Sequence, residues 1–274
     1  MDHSAQTTGG AGGSLAKNFD SIAPVYDATF TNNVSARLQR SRVWERMVES
    51  FPSKSHILEM ACGTGEDALY LASLGYQVEA FDASQGMVQE ARKRAVDDPR
   101  LNQSLGQARF NTLSFEEMES LAGLSFAGGF TNFGGLNCVA DLGQAFSGFA
   151  EALSPGAPLL ICMIGRFCLW EIFWPLLRGR WTKCLNRVRG YERAGDGIVR
   201  YPSLTTIRES FHPYFLERSV EGLGVVLPSY PRVNPFVHHP RILQGLATCD
   251  RIVGRWPILR AGGDNTLLLL ERRA

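Results

Sequence analysis

The sequence predicts an α/β fold, a mostly parallel sheet with helices on both faces. Three observations carry that prediction. Short apolar runs near 56–60, 77–81, 126–131 and 158–164 alternate with longer segments whose apolar residues recur at helical spacing. The first run, His56-Ile57-Leu58-Glu59-Met60, leads straight into a turn of small residues, Ala61-Cys62-Gly63-Thr64-Gly65. A helix pattern then starts at Glu66, with Ala68, Leu69, Leu71, Ala72 and Leu74 apolar. Strand, glycine turn and helix in that order open a nucleotide-binding unit. Gly63 and Gly65 let backbone approach a ligand closely, because no Cβ intervenes. The first turn of the helix points unpaired N–H groups at the same place.

Composition bounds the rest. With 274 residues, 45% hydrophobic and 20% charged, the chain has the make-up of a globular protein with one large domain or a core plus a cap. A net charge of +1 gives no reason to expect a nucleic-acid partner. The cysteines, Cys62, Cys138, Cys162, Cys168, Cys184 and Cys249, include no C-x-x-C pair, so no metal site or disulfide framework is expected. Reduced thiols point to a cytoplasmic protein. No basic start followed by an apolar run marks a secretory signal.

Taken in order, residues 1–16 are rich in Gly, Ser, Thr and Ala and read as a disordered tail. Residues 17–274 form the folded domain. Within it, 45–165, 202–227 and 262–274 make the ligand-binding core, and 17–44, 166–201 and 228–261 make a lid and cap. The segment Asn18 to Asp27 reads as a short capped helix. A longer helix runs from about Val34 to Ser50, with Val43, Trp44, Met47 and Val48 inward, and Pro52 ends it. Gly75 closes the helix after the first strand. The second strand ends in Asp82-Ala83-Ser84. Asp82 lies 17 positions after Gly65, where a strand-end carboxylate can accept from both hydroxyls of a ribose; Asp82 can also cap the next helix, a task Ser84 performs as well. Met87 lies one turn into that helix, beside an adenine or in the core. A short third strand, 108–110, is followed by Asn111-Thr112-Leu113. The fourth strand opens into Asn132-Phe133-Gly134-Gly135-Leu136-Asn137-Cys138, and Ser154-Pro155-Gly156 precedes the fifth.

A dinucleotide fingerprint would carry a third glycine where Glu66 stands, and Glu59 and Glu66 would repel a pyrophosphate. A cationic ligand tolerates both. The stretch from Glu59 to Gly65 resembles motif I of the class I S-adenosylmethionine (SAM)-dependent methyltransferases, with Ala61 in place of the first glycine. Phe19-Asp20 to Tyr26-Asp27 is similar to the N-terminal lid of the ubiquinone- and menaquinone-type small-molecule members. The N-F-G-x-L-N-C loop and the L-S-P-G turn follow in the family's order, so the resemblance covers roughly residues 17 to 165.

The resemblance implies a Rossmann-like class I methyltransferase fold, seven strands, mostly parallel, with the last antiparallel. It implies SAM as cofactor and S-adenosylhomocysteine (SAH) as product. The implied cofactor residues are Phe19, Tyr26, Glu59, Ala61, Cys62, Gly63, Thr64, Gly65, Asp82, Ala83, Met87, Asn111, Thr112, Leu113, Asn132, Phe133, Gly134 and Asn137. Where the family has an aspartate after strand three, this chain offers the amide of Asn111.

After Ile164 the α/β alternation breaks. Phe167, Trp170, Trp174 and Leu177 recur at helical spacing. This helix reads as a cap over an apolar substrate, a helix on a membrane surface or a buried helix; Arg166, Glu171, Pro175 and Arg178 exclude a span. Phe133, Leu136, Trp170 and Trp174 are the expected substrate-pocket residues. A helix is expected near 241–254 and a last strand over 265–270. His212, His238 and His239 are the candidate bases. The expected activity is methylation of an O, N or C nucleophile on a small aromatic or lipophilic acceptor, by a monomer or homodimer. Two other readings stay open: a SAM-binding fold that catalyses a rearrangement or cyclisation, and a non-catalytic SAM-binding module.

Overall fold

The computed structural model describes residues 11–171, 187–229 and 232–274, with side chains from Leu15 onward. Residues 1–10, Trp174 and most of the expected cap helix lie outside the described residues. The strands are β1 (His56–Met60), β2 (Gln77–Asp82), β3 (Gln107–Thr112), β4 (Gly128–Thr131), β5 (Pro158–Ile164), β6 (Tyr191–Ala194), β7 (Gly197–Arg200), β8 (Phe215–Leu223) and β9 (Asn265–Arg272). Seven of them form one sheet in the order β3-β2-β1-β4-β5-β9-β8. β1 pairs in parallel with β2 on one side and β4 on the other, with Glu59 opposite Ala80 and Phe130. β9 is antiparallel to both neighbours. The strand order reverses at β1 and β4, so a crevice opens beyond their carboxyl ends.

The helices are α1 (Ala11–Tyr26), α2 (Val34–Ser50), α3 (Glu66–Ser73), α4 (Gln85–Asp97), α5 (Leu142–Ala152), α6 (Leu204–Phe211) and α7 (Pro240–Val253). Side-chain caps explain several of their starts. Asn33 accepts from the Ala36 N–H, Ser84 from Met87, Asp141 from Gln144 and Ser203 from Thr206. The two faces of the sheet bury separate apolar layers. Along β5, Leu159, Ile161 and Met163 join Phe126, Phe146, Phe149 and Phe215 on one face. Leu160 and Cys162 join Val43, Met47, Phe110 and Phe130 on the other. That alternation is the period of two that a doubly covered strand requires.

Several details differ from the sequence reading. α1 begins at Ala11, inside the stretch read as a tail, because Leu15 is buried against Gly197 of β7. β4 starts at Gly128 rather than Phe126, which makes only an isolated bridge to Leu153. Val48 is exposed, while Val43 and Met47 are buried. β6 and β7 form a separate antiparallel hairpin within the first insert.

Candidate active site

A cavity of about 380 Å³ occupies the crevice beyond β1, β2 and β4. It falls within the usual size of small-molecule sites, roughly 300–1,000 Å³. α1 and the wide π-type turn at Asp27–Thr31 cover it, and Val199 of β7 closes one side.

The glycine turn forms one wall. Ala61 and Gly63 both adopt left-handed backbone, at φ +57° and +54°. The Gly63 N–H donates to Asp82 Oδ2 at 2.8 Å, and the Ser84 N–H donates to Asp82 Oδ1 at 2.9 Å. Asp82 thus braces the turn against the end of β2, and each oxygen keeps a second acceptor position. Burial raises its carboxyl above the ordinary range, opposed by these two N–H groups. A Cβ added to Gly63 would meet no protein atom within 4 Å, so the space above it belongs to the cavity.

A charged cluster lies where α2 and α3 meet β1. Arg40 Nη1 is 2.7 Å from Asp67 Oδ1. Asp67 also accepts from Trp44 Nε1 at 2.6 Å and Asn132 Nδ2 at 3.0 Å. The Arg40 guanidinium lies 4.5 Å from the centre of the Phe133 ring. Three buried atoms of this cluster have no partner: Arg40 Nε, Glu59 Oε2 and Asn132 Oδ1. All three residues line the cavity. Burial, then the Asp67 charge, pushes the Glu59 carboxyl well above the ordinary range against the pull of Arg40. Buried polar atoms left unpaired cost about 1–3 kcal/mol each, which a ligand with matching charges removes.

The covering helix is tied down at three points. Asp20 Oδ1 accepts from Ser84 Oγ at 2.6 Å and from the Gly86 N–H at 2.8 Å. Asp27 Oδ1 accepts from Thr64 Oγ1 at 2.6 Å, and its other oxygen pairs with Arg94 at 3.0 Å. Asn18 Nδ2 donates to the Ala194 carbonyl at 2.9 Å. Phe19, Ile22 and Tyr26 then face the cavity. Burial pushes the Tyr26 phenol up to about 12, with Arg40 opposing. Leu15, Leu113, Phe115, Val139, Ile164 and Val199 make the rest of the wall largely apolar.

Of the residues singled out by sequence, Phe19, Tyr26, Glu59, Ala61, Cys62, Gly63, Thr64, Asp82, Ala83, Met87, Leu113, Asn132, Phe133 and Gly134 line this cavity. Gly65 does not; an added Cβ there would lie 2.7 Å from the Phe110 ring, so Gly65 serves helix packing. Asn111 and Thr112 are exposed on β3, which runs two residues further than expected, and Arg92 reaches the Asn111 side chain. Asn137 is fully buried and bonds the main chain of Ile164 and Arg200. Leu136 belongs to the core. Trp170 donates to the Val226 carbonyl at 3.2 Å and is not part of the lining. His212, His238 and His239 are exposed and none lines the cavity, because helix ends outside the crevice carry them.

Arg40, Asp67 and Asp27 were not found by sequence. Arg40 had a signal: it stands with Val43 and Met47 at helical spacing, a cation on the apolar stripe of α2. Cys168, Glu171 and Asp264 lie within metal-ligand reach of one another, yet Arg187 already pairs with both carboxylates, at 2.8 and 2.9 Å.

The fold and cavity define a Rossmann-like α/β protein whose switch-point crevice suits a nucleoside joined to a charged tail. Comparison with known proteins agrees. Residues 57–156 match the Methyltransf_25 family, described as a methyltransferase domain. A demethylmenaquinone methyltransferase of Symbiobacterium thermophilum is 29% identical over 223 residues, covering 70% of this chain and 80% of the relative. An S-adenosyl-L-methionine-dependent Diels-Alderase, iccD of Talaromyces variabilis, is 34% identical over 129 residues, covering 45% and 38%. A demethylmenaquinone methyltransferase of Clavibacter sepedonicus is 27% identical over 150 residues, covering 55% and 58%. The chain therefore spans less than two thirds of two of these three relatives. Among solved structures, an S-adenosylmethionine-dependent methyltransferase from Mesorhizobium loti superposes with a TM-score of 0.56 at 17% identity, covering 86% of this chain and 100% of that one. The [4+2]-cyclase SpnF superposes with a TM-score of 0.59 at 16% identity, covering 96% of each. Residues 57–156 thus resemble a methyltransferase domain, and the sheet has the fold of the class I SAM-dependent methyltransferases. No described helix is long and apolar enough to cross a membrane.

Proposed function

We propose that this protein binds SAM in the crevice and transfers its methyl group to a small, largely apolar acceptor. The observation that carries the reading is the set of unpartnered buried atoms on Arg40, Glu59 and Asn132 beside the open space over Gly63. An amino-acid tail brings a carboxylate for the free Nε of Arg40, whose Nη1 pairs with Asp67, and an ammonium for Glu59. Asp82 keeps acceptor positions for the ribose hydroxyls. Met87 and Leu113 flank the place for the base.

When bound, SAM supplies a methyl already activated on a sulfonium. The protein then has to orient the acceptor and keep water out, which can supply much of the rate. Phe133, Val139, Ile164 and Val199 offer the acceptor an apolar wall worth about 25 cal/mol per Å² buried. No histidine lines the cavity among the described residues. Cys138 is the thiol on this side, and burial pushes it up to about 11, so it stays protonated at neutral pH.

A second reading has a specific observation behind it, the Diels-Alderase relative at 34% identity. A pericyclic step also needs an enclosed apolar cavity and no base. Incubation with SAM and a panel of lipophilic phenols, quinols and amines separates the readings. Stoichiometric SAH release with a methylated product supports transfer. Product formed without SAH release, and equally well with SAH replacing SAM, overturns it in favour of the second reading.

A further inference from the structure

The stretch from Val237 to Gly263 presents an exposed face, outside the cavity, that no described residue covers. Leu243 and Leu246 turn inward, against Leu227 and Val233. Asp250, the one acid in this stretch, is buried and accepts the N–H groups of Gly224, Val226 and Leu227. What remains outward is apolar and basic. Ile242, Ile252, Trp256 and Ile258 are 48%, 58%, 55% and 88% exposed. Ile242 and Ile252 are exposed positions of α7, and Trp256 and Ile258 continue beyond its end. Arg241, Arg251 and Arg255 are exposed beside them, as are His238 and His239. Arg251 and Arg255 approach Glu45 and Glu221, while Arg241 has no acidic partner among the described residues.

We propose that this face docks on an anionic lipid bilayer, with Ile252, Trp256 and Ile258 entering the interface and Arg241 and Arg255 meeting lipid phosphates, while Arg251 stays paired with Glu45. Five large exposed apolar side chains, Val237 included, lie in this one stretch, more than scattered surface hydrophobics. Their interleaving with arginines and the lack of any exposed acid within the stretch match an anionic surface. An indole belongs at the headgroup level, apolar on one side and wet on the other. No residue of this stretch lines the cavity, so docking there leaves the crevice unobstructed by these side chains.

The test is co-sedimentation of the full chain with vesicles of phosphatidylcholine alone or mixed equally with phosphatidylglycerol. Wild type is expected to pellet with the mixed vesicles, to stay in solution with the neutral ones, and to be released by salt. Arg241→Gln with Arg255→Gln is expected to weaken partitioning by about tenfold or more. Ile252→Ser with Trp256→Ser and Ile258→Ser is expected to abolish it, with SAM affinity and circular dichroism unchanged. Wild type that ignores the mixed vesicles overturns the proposal, as does a triple variant that pellets like wild type. A wild-type dimer in size exclusion that the triple variant dissolves also overturns it, because a second copy then covers the face.

Discussion

Asp27, the first residue of the turn after the covering helix, accepts a hydrogen bond from Thr64 of the glycine turn at 2.6 Å. Its other oxygen pairs with Arg94 of α4. One carboxylate therefore joins the lid to the loop that shapes the cofactor wall. Asp27→Ala is expected to weaken SAM binding by about fivefold to tenfold, the value of one or two such bonds. Titration calorimetry reads the affinity, and hydrogen exchange over residues 15–31 should rise in the free protein. Unchanged affinity together with unchanged exchange would show that the contact carries no lid energy.

Asp82 braces the glycine turn and, on the proposed function, also holds the ribose; the two roles predict different readouts. It accepts the Gly63 and Ser84 N–H groups, so Asp82→Ala is expected to lower the melting temperature of the free protein as well as the affinity for SAM. The affinity loss should reach tenfold or more, since charge-assisted bonds are worth about 1.5–3 kcal/mol. Asp82→Asn keeps one acceptor and is expected to fall between. If Asp82→Ala melts lower yet binds SAM as wild type does, the carboxylate is a brace alone.

Arg40 is assigned to the carboxylate of the cofactor. Arg40→Gln is expected to weaken SAM and SAH by about tenfold or more, the range of a charge-assisted pair. Binding of 5′-methylthioadenosine, which has neither carboxylate nor ammonium, should change little. Equal losses for all three ligands would mean that Arg40 acts through Asp67 and the packing of α2.

The raised Glu59 carboxyl makes a pH prediction. The free folded protein keeps this proton where the unfolded chain has released it. Stability is therefore full below the ordinary carboxylate range and falls as pH rises towards the folded value. An ammonium brought beside Glu59 drives the proton off. SAM binding is expected to release a proton, and the melting-temperature gain from SAM should grow with pH through that window. Asp82 and Asp250 shift in the same direction, so Glu59→Gln against wild type isolates the effect. Equal proton release by both proteins, read by calorimetry in buffers of different ionisation enthalpy, would refute the assignment.

What could be read from sequence was what local chemistry dictates. The glycine turn, the Asp82 strand end and the Ser84 cap are set by neighbours a few residues away, and all three stand as expected. Asn137 misled because its amide bonds main chain that folds in from residues 164 and 200, a tertiary fact. The histidines misled for the opposite reason: residue type suggested chemistry, and helix ends placed them in solvent. The hairpin β6–β7 carried a signal that charge obscured. Gly195-Asp196 is a two-residue hairpin loop with Gly195 at φ +58°, set among Glu192 and Arg193. Arg40 and Asp67 are 27 positions apart, so their pairing needed the packing of α2 on α3.

The same α1 that covers the glycine turn also walls the apolar side of the cavity, through Leu15 and Phe19. On the proposed function, cofactor and acceptor would then exchange through one motion of α1. Spent cofactor and product leave on a single clock, set by how fast Asp20 leaves Ser84 and Asp27 leaves Thr64. Turnover limited by that opening would slow with solvent viscosity and ignore the leaving ability of the acceptor's proton. A weaker latch would then raise the maximal rate while it weakens affinity, a trade fixed by the geometry of two aspartates far from the transferred group.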